Sequence, residues 1–175
     1  MRDKLVRAEM MTRDLRLPIV RLVDGTGGGG SVRALEVDGC PALYGWGLAI
    51  ENLSLIPVVG LALGSMAGFG AARVATSHYS VMVKDTSQMF IAGPPVVNRL
   101  GPQYGKNELG GSEIHTRNGT VDDEVESEVE AFACARRFLS YLPRSVYELP
   151  ARVDTGDDVR RKVEWLIDAI PRNER

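Results

Sequence analysis

Two glycine-rich turns carry most of the chemical promise in this chain. The first is Gly25-Thr26-Gly27-Gly28-Gly29-Gly30, which follows the apolar run at residues 19–23 and formally fits G-x-G-x-x-G. In that pattern glycines let peptide N–H groups approach a dinucleotide pyrophosphate. Such a site needs a helix opening at Gly30, but Gly39 and Pro41 interrupt it, and no alternating βαβ pattern follows. The absence of a following Lys-Ser or Lys-Thr excludes a P-loop. A plain glycine-rich turn is the competing reading. The second turn is Gly64-Ser65-Met66-Ala67-Gly68-Phe69-Gly70-Ala71-Ala72. Small residues here let a strand pass directly into a helix. The N–H groups at the helix start have no partner within it and stabilise a negative oxygen. The bland alternative is close helix–sheet packing by Gly and Ala.

Other reactive side chains are sparse. His78 and His115 are the only histidines, and neither lies beside a Ser or Cys in a nucleophile-elbow context. Both read as structural hydrogen-bonders. Cys40 and Cys134 are far apart and form no Cys-x-x-Cys or Cys/His cluster, so neither a metal site nor a disulfide scaffold is expected. The acids Asp122, Asp123, Glu124, Glu126, Glu128 and Glu130 read as a solvated helix face, with an acidic metal site as the rival.

At 175 residues the chain has the length of one domain, and 44% hydrophobic with 25% charged residues excludes disorder and collagen-like repeats. A net charge of −2 leaves no nucleic-acid footprint. The 21 uncharged residues from Asn52 to Ala72 have transmembrane length, but Pro57, four glycines and the lack of a flanking Lys/Arg cluster favour a buried strand, turn and helix over a membrane span. The first residues are charged and lack a signal-peptide apolar core. Twelve of the 19 glycines fall within residues 24–70, which points to backbone that meets something closely there.

The elements that must position these turns follow from periodicity and punctuation. Residues 1–17 read as a helix with Leu5, Met10 and Leu15 on one face, stopped by Pro18. Residues 19–23, 55–63, 79–84 and 88–91 read as strands, and 41–52 as a helix. Residues 92–120 read as loop. Thr120 reads as an N-cap with Asp123 as its capping-box partner, opening a helix that carries Val125, Val129, Phe132, Leu139 and Leu142 inward and stops at Pro143. A last helix is expected over 157–169, with Val159, Val163, Leu166, Ile167 and Ile170 as its stripe.

Taken in order, VRLVDGTGGGG, GSMAGFGAA, VMVKDTSQMFIAGPPVV, ELGGSEIHTRNG and FLSYLPRSVYELP are more specific than any one motif. Over residues 1–171 the chain resembles the carboxyltransferase (β) subunit of biotin-dependent acyl-CoA carboxylases of the propionyl-CoA and methylcrotonyl-CoA type. The resemblance implies an α/β, crotonase-like (ClpP/crotonase) fold built as a ββα spiral, here an incomplete single domain. It implies that residues 1–143 are part of the N-terminal acyl-CoA carboxyltransferase domain. Residues 144–175 would be the linker and helix leading to an absent C-terminal half. The implied reaction is carboxyl transfer from carboxybiotin, held on a partner carrier, to a short-chain acyl-CoA whose enolate attacks the carboxyl group. The family's backbone oxyanion hole falls on Gly68 and Phe69. Its CoA-lining positions fall on Gly27, Gly28 and Gly29 and on Ala67 and Gly70. The implied partners are the acyl-CoA, a biotin carboxylase/carrier subunit and other β-subunit chains, with no nucleic acid, membrane or metal, in cytoplasm or mitochondrial matrix. The alternative is a non-catalytic crotonase-like module for CoA binding or subunit assembly.

Many members carry Gly-Gly where this chain has Gly68-Phe69; a peptide N–H survives that change. His78 and Asp123 also depart from the familiar types, which leaves the acyl group open. Strands expected ahead of the first helix would leave a sheet edge bare. The 175-residue chain is therefore expected to self-associate, and light scattering that finds a monodisperse, cooperatively melting monomer would count against the incomplete-domain reading.

Overall fold

The computed structural model describes residues 2–25 and 45–169. The first helix, α1 (Arg2–Leu15), ends where Arg16 turns into the left-handed region at φ 55°, ahead of Pro18. Its inward face differs from the expected one: Leu5, Met10 and Leu15 are exposed, whereas Glu9 and Thr12 are buried. Burying a carboxylate is costly unless it is paired, and Glu9 has its partner in the next element. In strand β1 (Ile19–Val23), Arg21 donates from Nε to Glu9 Oε1 at 2.9 Å and from a terminal nitrogen to Oε2 at 3.1 Å. The same guanidinium reaches the carbonyl of Ala49 at 3.0 Å in helix α2 (Trp46–Leu53). From α2, Asn52 donates to Glu9 Oε2 at 2.7 Å.

Two short strands then alternate with a helix. Strand β2 (Val58–Ala62) is followed by β3 (Ser65–Ala67) and helix α3 (Phe69–Ala75). Strand β4 (Tyr79–Val83) is followed by β5 (Gln88–Phe90). β4 pairs parallel with β2, in register Val59 to Tyr79, and β5 pairs parallel with β3, in register Ser65 to Gln88. Each turn of the chain thus adds one strand to a four-stranded sheet, ordered β1-β2-β4-β6, and one to a two-stranded sheet. This is the expected ββα spiral. Strand β6 (Asp123–Val125) closes the larger sheet against β4.

Strand alternation divides the core. Ala62 and Met82 face inward with Met66, Val74 and Met89, between the two sheets and α3. Val59, Leu61, Val81 and Val83 face the other way, against Ala131 and Ala135. Gly60 allows α3 to lie close: a Cβ there would fall 2.6 Å from Ser77 Oγ and 3.1 Å from the Val74 backbone.

Residues 92–120, expected as loop, contain three short helices: α4 (Pro94–Val97), α5 (Lys106–Gly110) and α6 (Ser112–Arg117). They are too short to show a 3.6-residue stripe. The helix expected from Thr120 begins later, as α7 (Glu128–Ser140), with Ser127 as N-cap accepting from the Glu130 N–H. Residues 121–125 are claimed by the sheet instead: Asp122 accepts from the Ser80 N–H and hydroxyl, at 2.8 and 2.9 Å, and Val121 is buried. Val129, expected inside, is exposed. The last expected helix is replaced by a single 3₁₀ turn at Glu164–Ile167. Val159, Leu166 and Ile167 are exposed. A short helix without packing against an apolar face is marginal. Among the described residues none covers Val159, Leu166 or Ile167.

Tyr79 stacks on Phe138 of α7, ring centroids 4.9 Å apart, and its hydroxyl donates to Asp123. Burial, then the Asp123 carboxylate, pushes the phenol above its ordinary value of 10.0. A raised acid binds its proton more tightly in the folded state, so the stabilisation is present below pH 10.0 and is lost as pH rises beyond it. Urea unfolding should show Tyr79→Phe less stable than wild type near neutrality, with the gap closing at alkaline pH. Glu9→Gln leaves the buried Arg21 charge with neutral acceptors only, one carboxamide oxygen and backbone carbonyls such as that of Ala49, and should cost about 3–5 kcal/mol of unfolding free energy.

Candidate functional site

The two glycine turns meet at the carboxyl ends of neighbouring parallel strands. β1 ends in Asp24-Gly25 and β2 in Leu63-Gly64, and the β1–β2 register runs from Ile19–Val58 to Val23–Ala62. The turns touch: a Cβ on Gly64 would sit 2.1 Å from Asp24 Oδ1, and one on Gly70 would lie 3.5 Å from the Gly25 carbonyl. The site residues Ala67, Gly68, Phe69 and Gly70 are therefore together, with Gly25 beside them. Gly27, Gly28 and Gly29 lie outside the described residues.

Gly68 connects β3 to α3 with φ 60° and ψ −123°, a conformation that glycine adopts and side chains resist. Its N–H donates to the Phe90 carbonyl at 2.9 Å, and its carbonyl accepts from Ala72 at 3.0 Å, the bond that closes the first turn of α3. The N–H groups of Phe69, Gly70 and Ala71 precede that ladder and have no acceptor within the helix. Gly68 anchors the turn, and the first of these donors along the chain are those of Phe69 and Gly70. The Phe69 ring packs edge-on against Trp46 at the start of α2, with centroids 5.1 Å apart and planes at 65°.

Cavities flank α3 on two faces. A cavity of about 230 Å³ is lined by Gly68, Ala71, Ala75, Met89, Phe90 and His115. A larger cleft of about 490 Å³ between α1 and β1 includes Gly25, Gly70, Glu9, Arg21 and Arg73. Arg73 reaches Glu9 at 3.4 Å, so two guanidiniums share one carboxylate. Burial lowers the Arg73 pKa, Glu9 partly restores it and Arg21 opposes it again.

Both histidines make hydrogen bonds to backbone. His78 Nδ1 accepts from the Val58 N–H at 3.0 Å. His115 Nε2 lies 3.0 Å from the Met89 carbonyl, which only accepts, so that nitrogen carries the proton. His115 Nδ1 is buried without a hydrogen-bond partner among the described residues. Among those residues no cluster of three His, Cys, Asp or Glu could hold a metal ion, and no helix is long and apolar enough to cross a membrane. The Phe90 carbonyl and the Trp46 ring were not recognisable as site groups from sequence, because only the β3–β5 register and the α2–α3 contact bring them to Gly68.

Residues 2–175 match the family described as the carboxyl transferase domain. The chain is 34% identical to methylmalonyl-CoA decarboxylase subunit alpha of Veillonella parvula, over 97% of its own length and 33% of that protein's. It is 30% identical to the propionyl-CoA carboxylase carboxyltransferase subunit of Haloferax mediterranei, with the same coverage of each. Among solved structures it is similar to transcarboxylase 12S with methylmalonyl-CoA bound, at TM-score 0.72 and 27% identity, covering 97% of this chain and 33% of that one. It is also similar to the β subunit of P. aeruginosa geranyl-CoA carboxylase, at TM-score 0.70 and 29% identity, covering 87% and 28%. The chain spans about a third of the length of these proteins.

Backbone strain is separable from crowding at Gly68, where nothing lies within 4 Å of a built Cβ. Gly68→Ala should therefore lower the unfolding free energy by about 1–3 kcal/mol through the positive φ alone, measurable by urea titration.

Proposed function

This chain belongs to the carboxyl transferase domain family, and on that premise we propose that it is the CoA-ester-receiving part of an acyl-CoA carboxylase β subunit. The observation that carries the proposal is the Gly68-Phe69-Gly70 turn, with peptide N–H groups ahead of the α3 ladder, in contact with the Gly25 turn. Removing a proton from the carbon beside a thioester carbonyl moves negative charge onto the carbonyl oxygen. A donor preset where that oxygen sits lowers the barrier, because nothing need reorganise as the charge develops. The Phe69 N–H is assigned that role, with Gly70 beside it and Gly68 held by Phe90. Ala67 and Gly70, with Gly27, Gly28 and Gly29, are the positions assigned to the CoA chain. The small cavity beside Gly68 supports a short acyl chain.

Biotin on a carrier partner would supply the carboxyl group, which the enolate carbon takes up. The groups gathered at the turn are peptide N–H groups and apolar side chains, a set suited to a thioester oxygen and its acyl chain. No described residue of this chain is assigned to biotin, and a further domain or another β-subunit copy would present it. Cytoplasm or mitochondrial matrix is the proposed compartment. The similarity to a decarboxylase subunit favours a second direction at the same turn, in which a carboxylated acyl-CoA gives up its carboxyl group through the same enolate.

Phe69 is the first residue of α3, a position where proline keeps helical geometry but has no N–H. Calorimetry should find propionyl-CoA binding weakened about tenfold by Phe69→Pro, the upper scale of one hydrogen bond to the neutral thioester carbonyl. Phe69→Ala, which removes the ring and keeps the N–H, should bind as wild type within a few-fold. Equal losses in both variants would assign the site to the Trp46–Phe69 packing and refute the donor role. Supplied with biotin carboxylase, carrier and propionyl-CoA, the 175-residue chain should show no carboxyl transfer. Absence of CoA binding with retained association to a full-length β subunit would favour the assembly module instead.

A further inference from the structure

We infer that Gln88 is a positioning residue for the Gly68–Phe69 turn, acting through the register of the two-stranded sheet. The inference rests on the proposed reading that this turn receives a thioester oxygen. β3 and β5 have only three residues each, and a pair that short has little register preference of its own. Its far end carries the anchoring bond from the Gly68 N–H to the Phe90 carbonyl. A slip of one residue would displace that carbonyl by about 3.3 Å and turn every side chain to the opposite face.

The near end is locked by the Gln88 side chain, in a residue that is buried. Its Oε1 accepts from the Ser65 hydroxyl, across the Ser65–Gln88 register pair. Its Nε2 donates to the Asp85 carbonyl at 2.9 Å and to Asn107 Oδ1 at 2.8 Å. The Asp85 carbonyl only accepts, so the orientation of the carboxamide is fixed. Asn107 in turn donates to Asp85 Oδ1 at 3.1 Å, and Asp85 holds φ 59° to present its carbonyl. The Gln88 backbone also bridges to Gly111, just beyond α5. One carboxamide therefore ties β3, the β4–β5 turn and α5 together at one end of the strand pair whose other end carries the Gly68–Phe90 bond. Glu and Leu at this position would keep its approximate volume; Glu keeps the acceptor for Ser65, and Leu keeps none of the three bonds.

Two readouts on the full chain test this. The first is amide hydrogen exchange without ligand. Gln88→Leu should speed exchange of the Gly68 amide by about tenfold, the worth of one lost hydrogen bond; Gln88→Glu, whose second oxygen faces the Asp85 carbonyl instead of donating to it, should speed it at least as much, with the α7 amides of Ala131 and Ala135 unchanged in both. The second is the infrared carbonyl band of propionyl-CoA labelled with ¹³C at the thioester. Wild type should lower its frequency on binding. Gln88→Leu should lose that shift while keeping its affinity for free CoA. A folded Gln88→Leu chain with wild-type Gly68 exchange and a wild-type band overturns the inference. So does a variant whose α7 amides accelerate along with Gly68, since that is general destabilisation. If Gln88→Leu does not fold, Ser65→Ala removes one of the three bonds from the partner strand, and unchanged Gly68 exchange there overturns it equally. A wild-type chain that binds propionyl-CoA without a band shift refutes the thioester reading, and the exchange result still decides the role of Gln88.

Discussion

A single buried carboxylate holds the first half of this structure in place. Glu9 accepts both nitrogens of one Arg21 edge, the carboxamide of Asn52 and a longer contact from Arg73. Those partners come from β1, α2 and α3, so one group on α1 sets the relative position of four elements. Burying a charge is tolerable only when such partners are complete, which makes the arrangement selective. The Arg21–Glu9 pair fixes α1 against β1, and the Arg21 bond to Ala49 brings α2 beside the same strand. The start of α2 then places Trp46 on Phe69. The geometry of the glycine turn is thus tied to a polar core one layer away.

The second constraint is the strand exchange of the spiral. Each repeat gives a strand to the large sheet and the next to the small one, and the chain must turn sharply between them. Glycine appears where that demand is sharpest. At Gly68 the dihedral angles require it, and at Gly110 a Cβ would meet the Met89 carbonyl at 2.1 Å. The same close approach leaves peptide groups of the turn outside any helix or sheet ladder. A thioester enolate calls for such groups, so the packing of the fold and the proposed chemistry draw on one feature.

Legibility from sequence followed how local each determinant was. β1 and β4 were readable within a residue or so because each is a short run dominated by β-branched and other apolar residues, which allows few alternatives. The helix expected from Thr120 was not, because its acidic, cap-like start is also compatible with a strand, and the Ser80–Asp122 bonds across 42 residues favour the strand. The inward face of α1 was misread for a related reason. Its periodicity favoured Leu5, Met10 and Leu15, while an ion pair with a residue twelve positions on determined the burial. The tail at 143–169 shows the converse case, a helical pattern with no described surface to pack against.

The amino-acid sequence alone determined four of the strands, β1, β2, β4 and β5, where the glycine turns fall and to which family their order belongs. Those properties reside in short runs, whose sterics and hydrophobic pattern act locally. Tertiary structure alone decided that the Asp24-Gly25 and Gly64–Gly70 turns touch, and that the Gly68 N–H is spent on Phe90 while those of Phe69 and Gly70 stand ahead of the α3 ladder. These depend on parallel registers and on a buried carboxylate shared among distant elements. Pairings of that kind are set by the free energy of the assembled core, and no local window of the chain contains it.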